Sequence, residues 1–166
     1  MQELRVLTLN IHKGFSVGNR HFVLEGIREG LRESGSNLVF LQEVIGENLR
    51  HSERIAGWPE SDQLEYLADT VWSHYAYGKN SIYQHGHHGN AILSELPIAA
   101  TNNLDVSTMK VSQRGILHGM LESGVHLLCV HLGLFEFERR AQADKLLRYI
   151  EFSIPADEPV VLAGDF

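Results

Sequence analysis

Short apolar runs, each ending in polar or turn-forming residues, recur along the chain and predict β-strands. Runs of this length with many β-branched residues are typical of strands that are covered on both faces. The predicted strands cover residues 4–9, 38–41, 90–93, 115–121, 125–132 and 159–163.

Apolar residues at helical spacing predict three helices between these strands. They recur every four positions over residues 23–31, after Asn19 as a candidate cap. A second stripe, over residues 64–72, follows Ser61 as the expected N-cap, and a third helix is expected over about residues 136–152. Helices interspersed with strands in this way indicate an α/β (α+β) fold.

The segment of residues 77–89 is polar, aromatic and rich in histidine, and it follows neither a strand nor a helix period. We therefore predict a loop, which could lie at the mouth of a site. Its histidines, His85, His87 and His88, match no common zinc template, and the sequence has no second cysteine to join them. A solvated or substrate-facing loop is the preferred interpretation.

Length and composition fit one globular domain over residues 1–166. The hydrophobic fraction is 43%, and no apolar run approaches the ~20 residues that span a bilayer. The N-terminus leads into a predicted strand without a basic segment or cleavage site, so we expect a cytoplasmic protein without stable membrane insertion. The single cysteine, Cys129, lies in an apolar stretch, which predicts a buried thiol.

The formal net charge of −7 narrows the range of partners. A protein that coats long nucleic acid normally presents a basic surface to the phosphates, so a dedicated DNA-coating protein is disfavoured. A local basic site remains open, and an acidic protein could equally hold a small phosphorylated substrate through a metal ion.

Several predicted strands end in a side chain that can take part in chemistry, namely Asn10, Glu43, His131 and Asp165. Ligands of α/β proteins bind where strand ends and loops gather, so these residues could converge. Carboxylate and amide oxygens suit Mg²⁺. Hydrolysis of a phosphate ester needs a metal to offset charge, a base for the attacking water and donors for the phosphate oxygens. Glu43 suits the metal, Asp165 the base and His131 a donor.

Each of these residues also has a simpler explanation. Asn10 could be only a turn residue, and His131 could be a satisfied core side chain. Glu43 and Asp165 could be solvated strand ends. Arg114, at the start of a predicted strand, could bind phosphate oxygens or be a plain surface charge.

Six short motifs occur in a fixed order along the sequence. They are Leu9-Asn10-Ile11 with Gly14, Leu41-Gln42-Glu43, Gly89-Asn90-Ala91-Ile92-Leu93-Ser94, Arg114-Gly115, Val130-His131-Leu132 and Ala163-Gly164-Asp165-Phe166. Any one of them is weak, but six in this order form a fairly specific pattern. Together they resemble the deoxyribonuclease I-like endonuclease/exonuclease/phosphatase superfamily, in particular its small bacterial hydrolase branch.

The resemblance implies a role for each matching residue. Glu43 would be the principal ligand of Mg²⁺, which Mn²⁺ could replace, and Asn10 would touch the metal or the phosphate. Asp165 would position or deprotonate the attacking water, and His131 would contact the scissile phosphate. Further phosphate contacts would come from Arg114 and Asn90.

The resemblance also implies that this chain carries only the N-terminal part of the site. In the family, the motif around Asp165 continues to an asparagine, and a further aspartate and an Asp-His pair follow; all would lie beyond Phe166. We therefore expect a C-terminally truncated single domain, part of a four-layer α/β/β/α sandwich with mostly antiparallel or mixed sheets. Each half of the family fold would contribute one sheet, so this chain would supply about one half and leave its inner sheet face exposed. Self-association through that face is expected unless something covers it.

Two functional hypotheses follow from the sequence. The first is a metal-dependent phosphoester hydrolase that acts on nucleic acid, a phosphoinositide or a phospholipid head group, with an incomplete site in this chain. The second is a non-catalytic α/β module that keeps the fold and binds a partner. If the motifs matched by accident, Asn10, Glu43, His131 and Asp165 would be scattered over the molecule.

Overall fold

The computed structural model describes residues 3–16, 18 and 20–166, and within them it contains eight strands, four helices and a short 3₁₀ turn at His12–Gly14. The strands are β1 (Val6–Asn10), β2 (Leu38–Asn48), β3 (His74–Tyr83), β4 (Gly86–Ser94), β5 (Ile98–Asp105), β6 (Gly115–Leu121), β7 (His126–His131) and β8 (Val160–Asp165). The helices are α1 (Leu24–Glu33), α2 (Leu49–Arg54), α3 (Gln63–Ala68) and α4 (Glu136–Ser153).

The strands form two four-stranded mixed sheets, in the orders β1-β2-β4-β3 and β5-β6-β7-β8. Each sheet has one parallel pair at an edge, β1 with β2 and β7 with β8, and its other pairs are antiparallel. The parallel edges of the two sheets lie next to each other, because β1 contacts β8. This arrangement brings the ends of β1, β2, β7 and β8 to one end of the molecule.

The two sheets pack face to face and are covered by helices on both outer sides. Between the sheets, Phe40 and Ile92 of the first pack against Leu117 and Leu127 of the second. Helices α1 and α3 cover the outer face of the first sheet, and α4 covers that of the second. The four-layer α/β/β/α sandwich predicted from the sequence is confirmed.

The expectation of an exposed inner sheet face is wrong. This chain contributes both sheets, and their shared face is buried, with Phe40, Ile92 and Leu127 at 0% exposure. The centre of this face therefore offers no surface for self-association, although Val6 and Leu9 of the edge strand β1 stay 43% and 40% exposed. Cys129 is buried, as predicted, and it lies in this layer between the sheets. Burial raises the pKa of its thiol to about 12.

The segment predicted as a loop, residues 77–89, is the hairpin of β3 and β4. No apolar period marks it because its strands run past the hydrophobic layer, where the inner face carries polar side chains such as Asn80 and His88 instead of core residues. Strand β5 was also missed, since it is an edge strand whose central residues are exposed and polar.

Helices α1, α3 and α4 agree with the prediction in place but differ at their ends, and the short helix α2 was not predicted. Helix α3 starts after Asp62, whose Oδ1 accepts a hydrogen bond from the Glu65 N–H at 2.8 Å, so the N-cap is Asp62 and not Ser61. It ends at Ala68, so the apolar stripe that continues to residue 72 is not helical throughout. The predicted cap Asn19 lies outside the described residues. Within the described part, no helix has the length and apolar character needed to cross a membrane.

Candidate active site

Four side chains that the sequence singled out lie at the same end of the sandwich. Asn10 Nδ2 donates a hydrogen bond to Asp165 Oδ2 at 3.0 Å, across 155 residues of sequence. His131 Nε2 lies 3.7 Å from the same carboxylate oxygen. Glu43 completes the group, and its pKa responds to both Asn10 and His131. The ends of β1, β7 and β8 therefore meet beside β2.

Asn10 both closes a turn and faces the site. Its Oδ1 accepts a hydrogen bond from the His12 N–H at 3.0 Å, which is the turn role that the sequence left open. Because this bond fixes the orientation of the amide, the Nδ2 group points towards Asp165. One lone pair of Oδ1 stays available for a further ligand.

A β-bulge aims Glu43 at the site. Leu41 pairs with Ala91 and Val44 pairs with Gly89, so two residues of β2, Gln42 and Glu43, lie opposite one residue of β4. Strict alternation would turn Glu43 towards the helices together with Leu41. The backbone of Glu43 instead has φ 58°, a left-handed conformation that costs a non-glycine residue about 1–3 kcal/mol.

Neighbouring groups keep Glu43 ionised. Burial acts to raise the pKa of its carboxyl, but Lys13, His131 and Asn10 together lower it below the ordinary value of 4.5. Lys13 Nζ lies 3.6 Å from Glu43 Oε2. A half-buried carboxylate that stays negative at neutral pH is a suitable ligand for a hard cation.

A glycine allows Asp165 to reach the site from β8. Gly164 has φ +152°, and a Cβ atom there would lie 2.0 Å from the Val130 carbonyl oxygen, so only glycine fits between β7 and β8. Asp165 remains about half exposed and can meet a ligand from solvent.

The pKa of His131 is lowered by burial and further by Arg114, whereas Glu43 and Asp165 act in the opposite direction. The lowered pKa favours a neutral imidazole at neutral pH. Arg114 lies beside it but already donates from Nε to the Leu132 carbonyl at 3.1 Å and from Nη1 to the Gln113 carbonyl at 3.0 Å. Its remaining N–H groups are those that could reach a phosphate.

Asn90 does not fit the phosphate contact predicted for it. Its Nδ2 donates to the Gly115 and Cys129 carbonyls at 2.9 and 3.2 Å, and the residue is only 1% exposed. The atom that remains, Oδ1, is an acceptor and would repel a phosphate oxygen. Asn90 therefore links the two sheets behind the site.

Two residues near the site were not selected from the sequence, Lys13 and His88. Burial lowers the pKa of His88 to about 4, with Lys13, His131 and Arg114 acting in the same direction and Glu43 opposing them. The Lys13-Gly14 turn after Asn10 was a usable signal for the lysine. His88 was noted from the sequence in a segment that could lie at the mouth of a site, but that segment was predicted to be a loop and the histidine was given no role.

Asn10 and Asp165 border a depression of ≈ 340 Å³ between β1 and β8, which is lined by Thr8, Leu9, Asn10, Gln42, Gly164 and Asp165. No cluster of three His, Cys, Asp or Glu side chains with metal-binding geometry occurs among the described residues. The donor set fits a Mg²⁺ ion that binds through one or two carboxylates and completes its shell with water and substrate oxygens. It does not fit a caged structural metal.

The fold and this group of side chains define the class of the protein. Residues 7–166 match the Endonuclease/Exonuclease/phosphatase family, and the chain belongs to it. It is 44% identical over 167 residues to YbhP of Escherichia coli (strain K12), a protein described as uncharacterized. The match covers 98% of this chain and 66% of YbhP, so the chain spans about two thirds of the relative's length.

Solved structures show the same fold at low sequence identity. An endonuclease/exonuclease/phosphatase from Beutenbergia cavernae superposes with a TM-score of 0.74 at 22% identity, over 98% of this chain and 47% of that one. A family protein from Leptotrichia buccalis gives 0.72 at 17% identity, over 99% and 66%. The 3′ phosphatase NExo from Neisseria, solved with a product DNA hairpin, gives 0.57 at 15% identity, over 99% and 58%.

Proposed function

We propose that this chain carries the N-terminal part of a metal-dependent phosphoester hydrolase. The observation that supports this most is the meeting of Asn10, Glu43, His131 and Asp165 from four different strands, with Asp165 at 3.0 Å from Asn10 and 3.7 Å from His131. Accidental motif matches would have left these residues apart. Membership of the family supports the same reaction class.

In this proposal Glu43 and the Oδ1 atom of Asn10 hold Mg²⁺, and Mn²⁺ can replace it. When bound, the metal offsets the charge that develops on the phosphoryl group. Asp165 orients the attacking water and takes its proton. His131 donates an N–H to a phosphoryl oxygen or to the leaving group, and Arg114 contributes the free edge of its guanidinium.

The substrate in this proposal is a phosphoester of nucleic acid, a phosphoinositide or a phospholipid head group. The net charge of −7 favours a small or terminal phosphate over a long stretch of DNA. The structure of NExo with a product DNA hairpin is consistent with a nucleic-acid end as one such substrate. We place the reaction in the cytoplasm.

The test is hydrolysis of bis-p-nitrophenyl phosphate with Mg²⁺, measured on this chain and on any longer form that its gene encodes. Glu43→Ala should abolish the hydrolysis, while Glu47→Ala, an exposed glutamate on the same strand, should leave it unchanged. Mg²⁺ binding by the unaltered chain should also weaken in Glu43→Ala. If no form hydrolyses the ester or binds Mg²⁺, the non-catalytic interaction module is the better description.

A further inference from the structure

His88 projects towards the site from the middle of the first sheet. It lies two residues before Asn90 on β4, so both side chains point to the inner face of the sandwich. Its backbone is held on both sides, by Ile45 of β2 and Ser81 of β3. A side chain on a central strand is positioned more rigidly than one on a loop.

The surroundings of His88 are those of the site itself. Lys13, Glu43, His131 and Arg114 all lie close enough to act on it electrostatically. No carboxylate is paired with it among the described residues, so it is not the partner of a structural ion pair.

The two ring nitrogens of His88 differ in access. Nδ1 is buried and has no hydrogen-bond partner among the described residues. A buried N–H without a partner is costlier than a buried acceptor without one, so the bare lone pair belongs on Nδ1. The proton then sits on Nε2, the only ring nitrogen that a ligand can meet.

The site has few other free donors. The amide of Asn90 is used by backbone carbonyls, and that of Asn10 is directed at Asp165. Lys13 is paired with Glu43. A bound phosphoryl group has non-bridging oxygens that each require donors, so a free N–H at this place meets a need of the site.

We propose that His88 is a substrate-contacting residue whose Nε2–H donates to a non-bridging oxygen of the phosphoryl group bound beside Glu43. This inference rests on the proposed function. In this proposal the β3–β4 hairpin forms one wall of the site. The neutral imidazoles of His88 and His131 then donate to the phosphate from two sides.

The first test is the tautomer of His88 in the unaltered chain, read from long-range ¹H–¹⁵N correlation of its imidazole. We expect the Nε2–H form, with a shift of the His88 signals when inorganic phosphate is added with Mg²⁺. An Nδ1–H tautomer would overturn the inference, whatever the variants do.

The second test is the affinity for inorganic phosphate with Mg²⁺ in matched variants. The loss of one hydrogen bond corresponds to about a threefold to tenfold weakening, expected for His88→Phe. His88→Gln keeps a donor and should recover most of the affinity. His74→Phe, at the opposite end of β3, should bind like the unaltered chain.

The outcomes separate the two proposals. If Arg114→Ala weakens phosphate binding and a folded His88→Phe does not, the role of His88 is refuted and the proposed function stands. If the unaltered chain binds no phosphate, the role of His88 fails, and the proposed function is then decided by ester hydrolysis and Mg²⁺ binding of the longer form. Circular dichroism of each variant establishes that it is folded.

Discussion

Replacement of Asn90 by alanine tests whether this residue holds the two sheets together. Asn90 is 1% exposed and donates to the carbonyls of Gly115 and Cys129, both in the second sheet, at 2.9 and 3.2 Å. Asn90→Ala leaves two carbonyl oxygens without this partner in a buried layer. Loss of a buried partner costs about 1–3 kcal/mol per group.

The expected loss of unfolding free energy for Asn90→Ala is about 2–4 kcal/mol. It is below the sum of two such penalties because the variant also removes the unpaired Oδ1. In a chain of this size, that loss lowers the melting temperature by roughly 5–15 °C. Urea unfolding followed by circular dichroism measures it, provided that the m-value is unchanged.

Two further variants make the Asn90 test specific. Asn90→Asp places acceptors opposite the two carbonyls and should be at least as destabilising at neutral pH. Asn102→Ala, at an exposed position of β5 with one weak bond to Tyr149, should change stability by less than about 0.5 kcal/mol. A loss below about 1 kcal/mol for Asn90→Ala would refute the cross-sheet role.

Three other predictions concern glycine, the bulge and pH. Gly89→Ala should prevent stable folding, since its Cβ would lie 1.8 Å from the Gly78 carbonyl oxygen. In Gly26→Ala, in α1, the added Cβ meets nothing within 4 Å, and the free energy of unfolding from urea titration should rise by about 0.5–1 kcal/mol. Equal effects of the two substitutions would contradict the packing. Glu43→Gly should be more stable than Glu43→Ala by about 1 kcal/mol in urea unfolding, because only glycine adopts φ 58° without strain; a more stable alanine variant would refute the strain. Burial lowers the pKa of His118, and the nearby His126 lowers it further. Below pH 6.5 the folded state therefore binds fewer protons than the unfolded state. The free energy of unfolding falls as the pH drops from 6.5 through the pKa of the folded state. His118→Gln should reduce this fall between pH 7 and pH 5 in urea midpoints, and an unchanged slope would argue against it.

Much of the candidate site was predictable because its residues follow apolar strands. Asn10, His131 and Asp165 stand where an apolar run ends, although only the run before His131 is buried, and a polar side chain at such a place is visible in the pattern. The positions of β1 and β7 were predictable for the same reason, since each is a short apolar run. Helix α4 was predictable from apolar residues at helical spacing, although Glu138 and Gln142 are buried in it beside Leu146.

Other features depend on tertiary contacts that leave no local signal. The direction of Glu43 comes from a bulge against β4, which no periodicity reports. The use of the Asn90 amide depends on two carbonyls of the other sheet, 25 and 39 residues away. The β3–β4 hairpin lacks an apolar pattern because part of it borders the site. A strand that borders a site carries polar side chains at positions that would otherwise face the core between the two sheets.

The bond between Asn10 and Asp165 has a consequence for the timing of folding. It joins residues 155 positions apart, nearly the full length of the chain. Contacts of such high sequence separation close large loops and form late. During synthesis on a ribosome, β1, β2 and their helix can assemble early, but the site stays open until β8 has emerged. The nascent chain therefore holds Glu43 and Asn10 without His131 and Asp165 until β7 and β8 have been synthesised.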